Sequence, residues 1–277
     1  MNPPTWVIKM GGSVEREGVA PLATFLHDAD GRLRVVVVHG GGPEITRALA
    51  AAGIEAVFRD GLRVTSKAAA GVVRRVLAEE INAELVNLLR EAGLPAEGIA
   101  GDEGVLTGRS FGAEWAQTGY VDRVEPAVIE TVWERGGLPV LAPTARDDAG
   151  EWLNVNADDA AAAVARRVRA DALVFLTDVP YVRVPATVDH PGLVRRGTEA
   201  VAELTADAAR WLLELPDVVT AGMRPKIRAA VAAVAEGVAC AWIVDGRDPA
   251  LLRAVLERPG ERPGTLLVPS RPSGSSR

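Results

Sequence analysis

The side chains of this sequence that could do chemistry are cations set beside glycine turns, an arrangement suited to binding anions. Gly11 and Gly12 follow an apolar run at 6–10 and stand next to Lys9. Two glycines after a strand allow positive φ and bring backbone N–H groups close to an anion. His39-Gly40-Gly41-Gly42-Pro43-Glu44 repeats the theme after a Val-rich run, with a proline suited to the first turn of a helix. Strand, glycine turn and helix N-terminus together make an anion site. The pattern is neither a P-loop nor GxGxxG, since no Gly-Lys-Ser/Thr follows and the spacing differs. Lys226 opens a further helix, where the dipole favours anions, so a cation there hints at a bound one. Arg63 either lies solvated at the surface or holds a carboxylate with its planar guanidinium. His39 is a ligand contact or, more simply, a packing residue.

These groups must be positioned by strands alternating with helices. The organising stretch is 154–178. It opens with Asn154, Asn156, Asp158 and Asp159, continues as an Ala-rich helix and ends in the apolar run 173–176. Asn156 is a plausible N-cap, with two acidic residues in the first turn. Alone, the stretch reads as a capped helix leading into a buried parallel strand. Asp178 sits at the end of that strand, where ligands of α/β sheets gather. Further strands are expected at 34–38, 138–141 and 239–244, and helices at 45–51, 126–135, 205–213 and 227–235. A long helix at 67–91 carries Val73, Leu77, Ile81, Leu85 and Leu88 on one face, a stripe typical of core or of a dimer interface. Residues 98–104 read as turns, and the Pro-containing run after Asp178 as a mobile flap. The alternation implies a largely parallel sheet covered on both faces.

Composition narrows the function classes. The chain has 277 residues, 48% hydrophobic and 25% charged, which are globular values. A net charge of −6 gives no basic surface for nucleic acid or membrane, so an anionic ligand needs a local basic site. The N-terminus lacks a signal-peptide pattern, and no run reaches the ~20 apolar residues that span a bilayer. The single cysteine, Cys240, reads as a buried strand residue, consistent with a reducing cytoplasm. The three histidines show no metal-ligand spacing.

Six segments in order, IKMGGS, VVVVHGGGPEI, GLRVT, NVNADDAAAAVA, LVFLTDV and TAGMRPK, make the chain resemble the acetylglutamate kinases of the amino-acid kinase family. The resemblance runs from Val7 to about Thr265. It implies a three-layer α/β/α sandwich around a mostly parallel sheet of about eight strands. It implies two lobes, 1–170 for the acyl-amino acid and dimerisation and 171–268 for ATP, with 269–277 as a disordered tail. Three positions depart from the family pattern: Ser66 stands where aspartate is common, AGM replaces GGM before Lys226, and EEINAELV lacks an Asn-Lys pair.

Carried over by position, Lys9 and Lys226 resemble the lysines that neutralise a transferring phosphoryl group, and Asp158 the aspartate that orients them. Gly41, Gly42, Arg63 and Asn154 resemble the acyl-substrate site, and Gly11, Gly12 and Asp178 the nucleotide site. The implied reaction is ATP-dependent phosphorylation of the side-chain carboxylate of N-acetyl-L-glutamate in arginine biosynthesis. Mg²⁺ would be held mainly by the nucleotide, with no protein ligand named. A carboxylate nucleophile is already ionised at neutral pH, so no general base is needed; charge is the obstacle, which lysines, glycine amides and Mg²⁺ would offset. A carrier-protein-linked aminoadipate or glutamate kinase and a non-catalytic sensor on the same scaffold are the alternatives. Arginine-inhibited relatives carry an extra N-terminal helix that builds hexamers. With Lys9 so near the start, the expectation is a cytoplasmic homodimer, its interface near the Val73–Leu88 stripe, without strong arginine inhibition.

Overall fold

The computed structural model describes residues 3–11, 16–59, 61–220, 222–257 and 259–270. Gly12 and residues 271–277 of the expected tail lie outside them. In chain order the first half holds β1 (Thr5–Met10), α1 (Val19–Ala29), β2 (Arg34–His39), α2 (Gly42–Ala51), β3 (Val57–Arg59), β4 (Leu62–Val64) and α3 (Lys67–Arg74). A π-wound segment, Arg75–Ile81, joins α3 to α4 (Asn82–Glu91), so the expected long helix is continuous but not uniformly α. Then come β5 (Ala96–Ala100), β6 (Leu106–Ser110), β7 (Thr118–Val124), α5 (Ala127–Glu134), β8 (Leu138–Ala142), β9 (Thr144–Arg146), β10 (Trp152–Val155) and α6 (Ala157–Arg167). The second half holds β11 (Ala172–Thr177), β12 (Val182–Arg183), β13 (Leu193–Arg196), β14 (Ala200–Thr205), α7 (Ala206–Glu214), α8 (Arg224–Ala235), β15 (Cys240–Asp245), α9 (Pro249–Glu257) and β16 (Thr265–Val268).

Among the described residues the main sheet has ten strands, eight of them in the spine β14-β16-β15-β11-β1-β2-β8-β5, with β12 and β13 flanking β14. All spine pairings are parallel except β15 with β16. The expected three layers are present. On β1, Trp6, Ile8 and Met10 face a core formed with α1, α4 and α9, including Phe25, Leu89 and Leu252. Val7 faces the opposite core, shared with α5, α6, α7 and α8. This period-2 alternation sends Lys9 to the α6 side of the sheet. The alanines of α6 let that helix lie close to the strands; Ala160, Ala161 and Ala165 have no exposed surface.

Local chemistry sets the helix starts as expected. Asn156 Oδ1 accepts from the Asp158 and Asp159 N–H groups at 2.9 and 3.1 Å. Thr205 caps α7 through the Ala208 N–H at 3.3 Å. Ser66 caps α3 through Ala69 at 3.2 Å; serine and aspartate are both good caps, so the family departure there is structurally neutral.

Three expectations need correction. Of the two readings of the stripe on the long helix the core one holds, so any interface near it must use other side chains: Val73, Leu77, Ile81 and Leu85 are buried inside the chain, and Leu88 packs against the α1–α4–α9 core. The first three join α2 residues Ile45 and Leu49 in a third cluster that supports the glycine turn. The run after Asp178 is built rather than irregular, because β12 and β13 pair antiparallel with β14 and Arg195 donates to the Val184, Pro185 and Thr198 carbonyls at 3.0 Å. Residues 98–100 belong to β5, paired with β8. A smaller four-stranded sheet, β6, β7, β9 and β10, and the β3–β4 hairpin stand beside the spine.

Candidate active site

The spine changes direction at β1. Strands β2, β8 and β5 extend from one side of it, and β11, β15, β16 and β14 from the other. A crevice forms at such a switch point, beyond the carboxyl ends of the strands. Lys9 stands there, walling two cavities, one on each side.

Asp158 links both lysines. Its Oδ1 lies 3.0 Å from Lys9 Nζ and its Oδ2 lies 3.6 Å from Lys226 Nζ. The contact forms because α6 and α8 pack side by side in one layer, with Asp158 and Lys226 in their first turns. Burial alone would raise the Asp158 carboxyl, but the two ammonium groups outweigh it and hold the group below the usual carboxylate range. Burial, opposed by Asp158 and reinforced by Lys9, lowers Lys226. A second pair, Arg228 to Asp159 at 3.3 Å, ties the same two helices. Burial raises the Asp159 carboxyl despite Arg228.

The first cavity, about 320 Å³, is walled by Lys9, Gly41, Gly42, Arg63, Asn154 and Asp158 among others. The N–H groups of Gly41 and Gly42 open α2 and make no hydrogen bond among the described residues. Arg63 Nη2 donates to the Gly42 carbonyl at 3.0 Å and to Thr46 Oγ1 at 2.8 Å. Its Nη1 is buried without a partner, and burial lowers its pKa. An unpaired buried cationic donor is a costly arrangement that a carboxylate ligand would satisfy. Since Nη2 is already held, the arginine offers the ligand Nη1 rather than a free fork. Asn154 Nδ2 donates to Thr65 Oγ1 at 2.9 Å, which leaves its carbonyl to accept from a ligand amide.

The second cavity, about 300 Å³, is lined by Lys9, Gly11, Leu176, Asp178, Gly222 and Lys226 among others. Lys226 Nζ also donates to the Gly222 carbonyl at 3.4 Å. The Gly11 N–H is taken by the Leu176 carbonyl at 3.3 Å. What Gly11 provides is a close approach to β11, as a Cβ there would lie 3.3 Å from the Leu176 carbonyl oxygen. Arg247 Nη2 donates to the Asp178 carbonyl at 2.8 Å and fixes the end of β11 to that of β15.

Thus Lys9, Gly41, Gly42, Arg63, Asn154 and Asp158 gather at one cavity, and Lys9, Gly11, Asp178 and Lys226 at the other. Sequence reasoning missed Phe58, which is 57% exposed on β3 and lies 4.6 Å from the Arg63 guanidinium. Its signal was an apolar pair, Val57-Phe58, directly before the polar run Arg59-Asp60-Gly61. Asn156 was read as a cap alone, yet it also lines the first cavity. His39 is a packing residue, fully buried. Among the described residues no group of three or more His, Cys, Asp or Glu could hold a metal ion, and no helix is long and apolar enough to cross a membrane.

A family model described as "Amino acid kinase family" matches residues 4–245. An acetylglutamate kinase of Geobacillus kaustophilus is 39% identical over 248 residues, 88% of this chain and 90% of that protein. An acetylglutamate kinase of Thermosynechococcus vestitus is 37% identical over 278 residues, 96% of this chain and 88% of that protein. The crystal structure of N-acetylglutamate synthase from Neisseria gonorrhoeae, complexed with coenzyme A and N-acetyl-glutamate, superposes with a TM-score of 0.77 at 24% identity. It covers 97% of this chain and 60% of that one, a likeness of fold.

Proposed function

The chain belongs to the amino acid kinase family, and from that premise we propose that it phosphorylates the side-chain carboxylate of N-acetyl-L-glutamate with ATP, a step of arginine biosynthesis. The observation that carries this reading is the Lys9–Asp158–Lys226 bridge between two cavities of suitable chemistry. The first cavity would take the acceptor, its α-carboxylate on Arg63 Nη1 and its amide near Asn154. The second would take the nucleotide phosphates, near Lys226. Lobes at 1–170 and 171–268 would then correspond to the two substrates.

The reaction is a displacement at phosphorus. A carboxylate oxygen attacks the γ-phosphoryl group, the bond to the β–γ bridging oxygen breaks, and ADP leaves with that electron pair. No proton need be removed from the nucleophile. The barrier is the approach of one anion to another, and this chain addresses it with fixed positive charge. Lys9, shared by both cavities, and Lys226 would hold equatorial phosphoryl oxygens. The N–H groups of Gly41 and Gly42 would add donors without side-chain reorganisation. Asp158 keeps two like charges close without touching substrate. Mg²⁺, an oxygen-seeking cation, would take ligands from the phosphates and water and offset their charge.

A coupled ADP-release assay with N-acetylglutamate, N-acetylaminoadipate or no acceptor tests the reading. Turnover dependent on N-acetylglutamate is expected; preference for the longer acid, or nucleotide binding without turnover, would replace it. A cytoplasmic homodimer is part of the proposal. Its interface would lie near the long helix, using side chains other than the buried Val73–Leu85 stripe, and light scattering gives the assembly directly.

A further inference from the structure

Beneath the glycine turn of the first cavity lies a buried polar chain that phosphoryl transfer does not touch. Asn82, 4% exposed, donates through Nδ2 to the Val140 carbonyl at 2.9 Å and to His39 Nε2 at 3.2 Å. His39, fully buried, donates through Nδ1 to the Gly40 carbonyl at 2.8 Å. Both histidine bonds require a neutral ring with its proton on Nδ1. Burial, opposed by the Gly40 bond and reinforced by the Lys9 charge, pushes His39 down to about 4, so the neutral ring persists at physiological pH.

The π-wound segment explains how Asn82 gets there. The Asn82 N–H donates to the Leu77 carbonyl five residues back. In α winding, residues 77 and 82 would point roughly 140° apart around the axis. Winding with i→i+5 bonds turns them toward one side. Leu77 and Ile81 then press on Gly41, whose φ is +153° and where a Cβ would lie 2.9 and 2.5 Å from their methyl carbons. Asn82, from the same side of the helix, reaches His39. Gly98 completes the fit, since a Cβ there would lie 2.3 Å from Asn82 Oδ1. The turn is therefore clamped from below by apolar contact at Gly41 and by a hydrogen-bonded chain at Gly40.

We infer that Asn82 and His39 are positioning residues for the acceptor: acting through the Gly40 carbonyl, they hold the turn so that the Gly41 and Gly42 N–H groups face the first cavity. The inference rests on the kinase reading for what that cavity binds. It predicts a defect confined to one substrate. Asn82→Leu keeps the volume and removes the donor. The double variant His39→Leu/Asn82→Leu also removes the donor to the Gly40 carbonyl, so both links of the chain are gone. Both variants should show native circular dichroism, a KM for N-acetylglutamate raised about tenfold, and a KM for ATP within about twofold of wild type. A purely structural role would lower the melting temperature and leave both KM values alone. A double variant with wild-type acceptor KM would overturn the inference, as would equal rises for both substrates. The imidazole nitrogen NMR signals of His39 in the wild-type protein supply a check independent of the acceptor. Protonation on Nδ1 is expected from pH 6 to 8; a ring titrating near its ordinary value of 6.5 would remove the chain on which the inference stands. If wild-type protein fails to turn over N-acetylglutamate, the kinase reading falls, while the NMR measurement still judges the chain.

Discussion

The two cavities that share Lys9 are nearly equal in size, about 320 and 300 Å³, but they are built differently. The first is walled by groups far apart in sequence and held by cross-links: Arg63 to Gly42, Asn154 to Thr65, and Asn82 to Val140. The second is tied at strand ends, by Arg247 to the Asp178 carbonyl and Gly11 to the Leu176 carbonyl, with local bonds from Thr177 to Asp178 and Lys226 to Gly222. Long-range cross-links fix the shape of a pocket before ligand arrives, which favours discrimination among acceptors. Strand ends and one helix start carry few side-chain cross-links but set Lys9 and Lys226 beside an open cavity, which suits a phosphate chain. On this view the first cavity supplies specificity and the second supplies electrostatics, and Lys9 together with Asp158 couples them.

The variant expected to have the largest effect attacks that coupling. Asp158→Asn keeps size and capping ability but removes the charge between two lysines. The ammonium groups should then lose their alignment, and loss of a preorganised electrostatic element typically lowers kcat by ~10²–10³-fold. Both KM values should change less than kcat, because the lysines matter most as charge develops. Steady-state kinetics with circular dichroism decide it. A folded variant with near-normal kcat would mean that the cavities are not coupled through Asp158.

Next comes Arg63→Ala, which tests whether the first cavity is a separate unit. Removing a buried charge-assisted donor should raise the acceptor KM by roughly 10- to 150-fold while the ATP KM stays put. Parallel rises in both constants would dissolve the distinction between a specific and an electrostatic side.

Legibility followed the same division. The second cavity was readable because each group marks a recognisable local feature: Lys9 and Gly11 stand at a strand end, and Lys226 opens a helix. The spine itself was readable because buried parallel strands leave continuous apolar runs, as at 34–38 and 173–176. The first cavity was half legible. Gly41 and Gly42 announced themselves, and Arg63 was flagged, but its cross-link to Gly42 depends on a fold that local spacing does not encode. Phe58 was hidden in a three-residue strand too short to show alternation, and β12, β13 and β16 escaped for the same reason. The Leu77–Ile81 stripe was visible, yet periodicity cannot say what covers a stripe; here α2 and the glycine turn do. The π winding left no mark in residue type, so Asn82 read as one more polar helix residue.

A smaller effect should come from Phe58→Ala. The ring lies against Arg63 from an exposed hairpin, and such a contact at an exposed site contributes about 0.5–1 kcal/mol. The acceptor KM should rise about two- to fivefold, with little change in kcat. A loss as large as that of Arg63→Ala would promote Phe58 from a neighbour of the arginine to an essential wall of the pocket.

The finest test concerns pH, where activity and stability should move in opposite directions. In the proposed mechanism Lys226 acts as a cation, and burial, partly countered by Asp158, places its pKa below the ordinary 10.5. His39, pushed down to about 4, adds no break to kcat at neutral pH. As pH rises through the folded Lys226 value, the charge is lost and kcat should fall at a pH lower than an unperturbed lysine would give. In the same window, between the folded value and 10.5, the unfolded chain binds more protons than the native one at this site. The Lys226 contribution to stability therefore rises with pH there while activity declines. Asp158 works at the other end: its folded pKa lies below 3.8, so its contribution is complete above that pH and fades as pH falls through the folded value. The two residues are linked, because the Asp158 charge is what keeps Lys226 from dropping further. Asp158→Asn should accordingly move the alkaline limb of its residual kcat to still lower pH, and Lys226→Arg should move the limb of the otherwise intact enzyme upward. The measurement is kcat against pH from 7 to 10.5 for the three proteins, at saturating ATP and acceptor. A limb that stays in place when Asp158 loses its charge would show that the 3.6 Å contact does not set the protonation of Lys226. The electrostatic side of the site would then owe its tuning to the sheet edge and not to α6.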